Sequence, residues 1–290
     1  MKLCLGTAQF GSNYGISNKN GILRLNEISK ILKFCRDKKI NFYDTANSYE
    51  SSKYILSKTL NKKQKKNIIT KINIKKRYKE SFIRTYILNL TNNLKVKQIY
   101  AILIHNPKNI TKKNLKLLLK DIKFLKEKNY IKYFGVSLDS QNDVNFKFFE
   151  EFDVIQFPLN IFDQETFTES FLKRLKRKKK ILMVRSILLQ GLIFLDELSI
   201  SNLFGYLPSQ IKKFKTKTNY SNKVALNLAI DFIKSRKKYL DFVVVGCTNV
   251  NELNEIYNNF KLKKKKVNFS DYKIKKKEII KPHKWKTFQQ

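Results

Sequence analysis

Residues 100–137 read YAILIHNPKNITKKNLKLLLKDIKFLKEKNYIKYFGVS, and this stretch decides the architecture. Tyr100–His105 and Tyr133–Ser137 are short apolar runs rich in β-branched and aromatic residues. Runs of that length and composition read as strands. Between them Leu115, Leu118, Leu119, Ile122 and Leu125 recur at helical spacing opposite a lysine-rich face, which predicts an amphipathic helix. Apolar strands separated by helices call for a parallel sheet covered on both sides.

Moving outward, the same unit repeats. Further strand-like runs are Leu3–Thr7, Asn41–Thr45, Ile68–Ile72, Val154–Pro158, Ile181–Ser186 and Phe242–Cys247. One helix places Leu25, Ile28, Ile31, Leu32 and Cys35 on a single face; another, from about Ser221 to Ser235, carries Val224, Leu226, Leu228, Ala229, Phe232 and Ile233. Eight strands alternating with about eight helices in 290 residues match a closed (β/α)8 TIM barrel, of the α/β class, better than an open doubly wound sheet. No GxGxxG follows the first strand, which weakens the open alternative further. The barrel is expected over residues 1–262. A basic tail over 263–290, with Val267, Phe269, Tyr272, Ile274, Ile279, Ile280 and Trp285 among its lysines, is expected to pack on it. Residues 190–220 read as a long connection, a candidate lid or binding loop.

Composition excludes several classes. With 42% hydrophobic residues, 22 Phe and 14 Tyr, the chain can bury a core and is not disordered as a whole. It has no apolar run approaching the ~18 residues of a membrane span. Its opening residues do not read as a signal peptide, so a cytoplasmic protein with no membrane partner is expected. Cys4, Cys35 and Cys247 are odd in number and scattered; they read as reduced, buried thiols, and no metal site is expected. The net charge of +38 favours anionic partners. However, only eight of the 61 cations are Arg, whereas nucleic-acid readers favour the bidentate guanidinium. A/T-rich coding explains the lysines without a function.

In such a barrel the reactive side chains sit where strands end. The second strand ends Phe42-Tyr43-Asp44-Thr45 and its loop carries Ala46-Asn47-Ser48-Tyr49-Glu50; the third ends Thr70-Lys71-Ile72; the fourth ends Ile104-His105-Asn106-Pro107. Neighbouring strands therefore bring a carboxylate, a phenol, an ammonium and an imidazole to one rim. A free phenol titrates near pH 10, and lowering that by two units takes about 2.7 kcal/mol. An ammonium about 4 Å away supplies on the order of 4 kcal/mol at an effective dielectric near 20. Lys71 can fill that role for Tyr49 if Asp44 keeps it charged against burial. A neutral His105 can orient a substrate oxygen. The group suits protonation of an oxyanion as it forms, as in carbonyl reduction. Taken singly each residue has an ordinary reading: a solvated lysine, a capping aspartate, a packing tyrosine, a structural histidine. Their placement on three consecutive strands carries the weight.

These residues also carry a resemblance. Leu5-Gly6-Thr7-Ala8, Asn41 to Tyr49, Thr70-Lys71, Leu103 to Pro107, Gly135-Val136-Ser137, Val154 to Asn160 and Val245-Gly246-Cys247-Thr248 together resemble the aldo/keto reductases, in order from about residue 3 to residue 260. The opening Leu-Gly-Thr-Ala-Gln-Phe-Gly resembles a bacterial subgroup that tends to accompany sugar and surface-polysaccharide metabolism. The resemblance implies a (β/α)8 barrel with NADPH extended over its C-terminal rim, NADH being the alternative. It implies Asp44, Tyr49, Lys71 and His105 as catalytic residues, with Tyr49 as acid. It also implies Ser137 and Gln156 against the nicotinamide carboxamide, and Gly6, Thr7 and Asp44 beside the cofactor. Gly246, Thr248 and Asn249 match the last strand's loop, which supports the 2′-phosphate end.

Three positions depart from the family's pattern. Leu138 stands where many members have Asn. Arg185, followed by Ser186, stands where an aromatic residue usually stacks on the nicotinamide. Glu252 stands near the 2′-phosphate contacts, with Lys261 and the run 263–266 as candidate counter-charges. The expected partner is a small carbonyl substrate, read by the loops after Thr7, Ser48, His105 and Leu188, and the chain is expected to be a monomer. Two rival functions share the sequence: a dinucleotide-binding sensor with little turnover, and a nucleic-acid binder using the basic surface. The intact set of four argues against the first. The second lacks any RNP, zinc-finger or helix-turn-helix signature.

Overall fold

The alternation of strand residues builds the barrel. The computed structural model describes residues 1–49, 51–105, 107–263 and 266–285; Glu50, Asn106 and the tail lysines 264 and 265 lie outside that set, as does 286–290. Eight parallel strands close on themselves in sequence order: β1 (Lys2–Gly6), β2 (Phe42–Asp44), β3 (Ile68–Ile72), β4 (Ile99–Ile104), β5 (Ile131–Ser137), β6 (Val154–Pro158), β7 (Ile181–Arg185) and β8 (Phe242–Val245). Cys4, Ile69, Ala101, Leu103, Val154, Met183, Phe242 and Val244 form one buried cluster, the filling of the barrel. The alternate positions, among them Leu5, Tyr43, Ile68, Ile102, Phe134, Ile155, Leu182 and Val243, join the larger core between strands and helices. Side chains two residues apart share a face, so the interior set continues upward to Gly6, Asp44, Lys71, His105, Ser137, Gln156 and Arg185.

The covering helices are amphipathic for the reason the sequence suggests. In α1 (Leu25–Asp37) Ile28, Ile31, Leu32 and Cys35 are buried, whereas Leu25, expected on that face, is 64% exposed because it opens the helix. Helices α2 (Ser52–Thr59), α3 (Lys62–Lys65), α4 (Phe82–Leu94), α5 (Lys112–Glu127) and α6 (Glu169–Arg177) follow. Leu115, Leu118, Ile122 and Leu125 of α5 face the core, and the Thr111 side chain caps it. The crossover from β5 to β6 has no α-helix, only a 3-10 segment, Phe146–Glu151, so the strict alternation fails there.

The expected loop over 190–220 is largely helical. It contains α7 (Glu197–Phe204) and α8 (Ser209–Lys217), ahead of α9 (Asn222–Ser235). Helix α7 buries only Ile200; Asp196 caps its start and Gly205, at φ 77°, ends it. A helix defined by its caps shows no apolar stripe to a periodicity reading. Helix α10 (Val250–Lys261) closes the ring, and α11 (Lys277–Ile280) lies in the tail. The described tail residues bury Tyr272, Ile274, Ile279, Ile280 and Trp285. Ile274 N–H donates to Phe162 O at 2.9 Å, and Trp285 Nε1 donates to Ile279 O at 3.0 Å. The three cysteines are buried and unbonded to one another. Among the described residues no helix is long and apolar enough to cross a membrane.

Candidate active site

The top interior layer of the barrel is polar where the layers below are apolar. Lys71 Nζ lies 2.5 Å from Asp44 Oδ2, and both side chains are almost wholly buried. Asp44 Oδ1 accepts from Gln156 Nε2 at 2.8 Å, and Gln156 Oε1 accepts from Ser137 Oγ at 2.9 Å. Strands β2, β3, β5 and β6 are thus joined through a single carboxylate. Burial favours the neutral form of Lys71, but Asp44 more than reverses that and holds its pKa above the ordinary lysine value, so the amine is an ammonium at neutral pH.

Tyr49 stands over this pair, with Lys71 Nζ 5.2 Å from its ring centre. The β2 loop that carries it is fastened at several points. Asn47 N–H donates to Lys71 O at 2.8 Å and Tyr49 N–H to Ala46 O at 3.2 Å. The hydroxyls of Thr7 and Ser52 are 2.7 Å apart, and those of Thr45 and Ser52 3.2 Å apart, all buried. Gly11 meets the turn directly: a Cβ there would lie 2.7 Å from Tyr49 O and 2.8 Å from Ser52 N. Only glycine allows that approach.

His105 follows β4, its N–H donating to Ile72 O at 2.9 Å. Burial, aided by the charges of Lys71 and Arg185, lowers its pKa to about 4, so the ring is neutral at pH 7. Arg185, the last interior residue of β7, donates to Leu138 O at 3.0 Å and to Asp139 Oδ1 at 2.5 Å. Burial pushes Asp139 upward, yet the guanidinium holds its carboxyl below the usual value.

Two neighbouring hollows lie at this rim. A chamber of 240 Å³ is lined by Tyr49, Lys71, His105, Asp139, Asp163 and Arg185, with Lys281 and His283 of the tail at its mouth. A longer cleft of 380 Å³ runs from Asp44 and Tyr49 past Gly6, Thr7 and Ser186 to Gly246, Thr248 and Glu252. Tyr14, Tyr49, Arg185, Ser186 and Gln190 border both. Between them the loop after β1 meets the loop after β7, where Ile16 N–H donates to Gln190 O at 3.0 Å. Gly191, at φ 92°, faces Ser17 so closely that a Cβ would overlap its hydroxyl.

The structure therefore brings Asp44, Tyr49, Lys71 and His105 together, and lines the cleft with Gly6, Thr7, Arg185, Ser186, Gly246, Thr248 and Glu252. Ser137 and Gln156, expected against the cofactor, line neither hollow; both are buried, bonded to one another, with Gln156 donating to Asp44. Asn249 does not line the cleft; its side chain caps α10 by accepting from Glu252 N–H at 2.9 Å. Lys261, a candidate counter-charge to Glu252, sits at the other end of α10 with its Nζ over the Tyr257 ring. Nine residues of helix put it roughly 13 Å away along the axis.

Sequence reasoning missed Tyr14, Gln190, Asp139, Asp163, Lys281 and His283 as lining residues. Tyr14 carried a signal, an aromatic beside Gly15 in the loop after a strand. Burial, with Tyr49 nearby, pushes its pKa up to about 12, so it is a neutral hydroxyl. The two tail residues carried none, because only the tertiary path of the tail brings them to the rim.

A closed (β/α)8 barrel with a lysine–aspartate pair, a phenol and a neutral imidazole converging at its C-terminal rim defines a class of enzyme scaffold, and comparison with known proteins specifies it. A sequence profile described as the aldo/keto reductase family matches residues 2–276. The chain belongs to the aldo/keto reductase family and is an oxidoreductase of that type. Among solved structures it is similar to the holo form of the aldo-keto reductase AKR11C1 from Bacillus halodurans, with TM-score 0.72, 16% identity, and coverage of 93% of this chain and 89% of that one. It is also similar to the glycerol dehydrogenase AKR11B4 from Gluconobacter oxydans, with TM-score 0.65, 19% identity, and coverage of 89% and 86%. No curated protein matches it in sequence.

Proposed function

We propose that the chain reduces a small carbonyl compound to its alcohol using a reduced nicotinamide dinucleotide, with Tyr49 as the proton donor. The reading rests on one observation above the rest: Lys71, buried and paired with Asp44, has its ammonium 5.2 Å from the centre of the Tyr49 ring, and Lys71, Tyr49 and neutral His105 line one chamber. Fitness for the dinucleotide is supported by the cleft, which starts at Tyr49 and Asp44 and continues past the ends of β1 and β8 to the start of α10. Gly6, Thr7, Ser186, Gly246 and Thr248 would flank it there; Gln156 and Ser137, buried and bonded to one another, would have to exchange that bond to meet a carboxamide. When bound, the dinucleotide supplies hydride to the carbonyl carbon.

The chain's own residues handle the oxygen. A carbonyl in the chamber accepts a hydrogen bond from the Tyr49 hydroxyl and another from the ring N–H of neutral His105. As negative charge grows on the oxygen, the Tyr49 proton moves to it. The phenolate left behind is stabilised by the Lys71 ammonium, and Asp44 keeps that ammonium charged. Tyr49 then regains a proton from solvent. Positioned proton transfer of this kind contributes about 10²–10⁴-fold.

Asp139, Asp163, Arg185, Lys281 and His283 line the chamber beside apolar Pro158, Leu189 and Ile280, and these charged and polar groups offer partners to the hydroxyls of a sugar-like carbonyl compound. The experiment is a screen of aldehydes, ketones and aldoses followed by loss of the reduced-nicotinamide absorbance. Sustained turnover, fastest on hydroxylated carbonyls, is expected. A single slow turnover with every compound would overturn the reductase reading.

A further inference from the structure

The long cleft carries a charge pattern at odds with the rest of the molecule. The chain has a net charge of +38, yet among the described residues lining this cleft the one cation is Arg185, at the Tyr49 end and paired with Asp139. The far end is bordered by Thr248, Glu252, Glu255 and Ile256. Glu252, Glu255 and Ile256 share one face of α10, since residues three and four apart are neighbours on a helix.

The backbone at that end is equally unsuited to a phosphate. A helix N-terminus offers free N–H groups and a positive dipole to an anion. Here several of those donors are already taken by the chain itself. Thr248 N–H and Oγ1 both donate to the Glu252 carboxylate at 2.7 Å. Val250 N–H donates to Glu27 Oε1 at 2.9 Å, and Glu252 N–H donates to Asn249 Oδ1 at 2.9 Å. Glu27 also pairs with Lys30 at 3.5 Å, so that nearby ammonium is directed to its own carboxylate.

If the proposed reaction is right, the nicotinamide lies at Tyr49, and the cleft has only the α10 end left for the other nucleoside. We infer that this end selects a dinucleotide with a free adenosine ribose diol, NADH, and rejects the 2′-phosphorylated form, NADPH. A carboxylate accepts hydrogen bonds from a vicinal diol and repels a phosphate, whereas a cation does the reverse. A 2′-phosphate carries close to two negative charges at neutral pH and would face Glu252 and Glu255, with no lysine among the described residues that line this end. This inference rests on the reductase reading for the polarity of the cleft. It reverses the preference for NADPH that the family resemblance implies.

The test is calorimetric titration of the full chain with NADH, NADPH, ADP and 2′-phosphorylated ADP, at low salt and at 0.5 M salt, with no carbonyl compound present. NADH is expected to bind at least about tenfold more tightly than NADPH at low salt, with ADP likewise ahead of its 2′-phosphate. The gap should narrow as salt screens the carboxylates. In Glu255→Lys, whose side chain makes none of the capping bonds described, NADPH should gain on NADH by about tenfold. Should that variant not fold, the two ADP ligands and the salt series on the parent still decide. Equal or tighter binding of NADPH by the parent would overturn the inference and leave the reductase reading standing. Binding of neither dinucleotide would overturn both.

Discussion

Replacing Asp44 by Asn isolates the charge at the centre of the site. The variant keeps an acceptor for Gln156 Nε2 but removes the negative charge 2.5 Å from Lys71 Nζ and presents an N–H₂ group toward the ammonium. The gross attraction lost is about 7 kcal/mol at an effective dielectric of 20, most of it offset in the parent by the cost of desolvating both groups. Leaving one member of a buried pair alone typically costs about 3–5 kcal/mol. The pH dependence separates this from a packing defect. In the parent, Asp44 raises Lys71 above its ordinary pKa, so the pair stabilises the fold fully below about pH 10 and loses its effect as pH rises through the folded value. In the variant only burial remains, the folded pKa falls below the unfolded one, and stability climbs with pH. Urea unfolding from pH 6 to pH 10 should therefore show a deficit of about 3–5 kcal/mol near neutrality that shrinks toward pH 10. A deficit below about 1 kcal/mol, or one equal at both ends of the range, would refute the reasoning.

Other outcomes follow from the same geometry. Gly11→Ala forces a methyl into the Tyr49 turn; it should cost about 1–3 kcal/mol by urea midpoint and lower turnover, whereas a neutral result would mean the turn is not held there. Asp121, fully buried, accepts from Tyr78 OH at 2.6 Å, Ser81 N–H at 3.1 Å and Arg84 Nη2 at 3.1 Å. Asp121→Ala should lose about 3 kcal/mol or more without changing dinucleotide affinity. The His105 ring, followed by NMR against a His105→Gln control, should titrate near pH 4. Because that value lies below the unfolded one, stability should fall as pH drops from about 6.5 toward 4; a midpoint at 6.5 would place the ring in water.

Most of the barrel was legible because its signals are local. Each strand is a short apolar run followed by a turn, and the structure ends the strands within a residue or two of the positions expected. The site was legible through strand parity: Asp44, Lys71 and His105 each lie two residues beyond an interior apolar position, Phe42, Ile69 and Leu103. What escaped reading was non-periodic or non-local. Helix α7 is marked by Asp196 and Gly205 rather than by a stripe, so 190–220 looked like a loop. Leu25 has the right spacing but no partner at the helix start. Lys281 and His283 reach the chamber only because Ile274, Ile279 and Trp285 anchor the tail across the rim. Lys261 reads from the sequence as a counter-charge to Glu252, yet a helix of that length holds the two charges apart.

The central claim is that Tyr49 gives the proton. The measurement that bears on it most directly is single-turnover reduction of a good carbonyl substrate by Tyr49→Phe, with dinucleotide affinity determined on the same preparation. The account predicts affinity within about twofold of the parent and a rate lower by about 10²–10⁴-fold. A rate equal to the parent's, with the dinucleotide still bound, would contradict it.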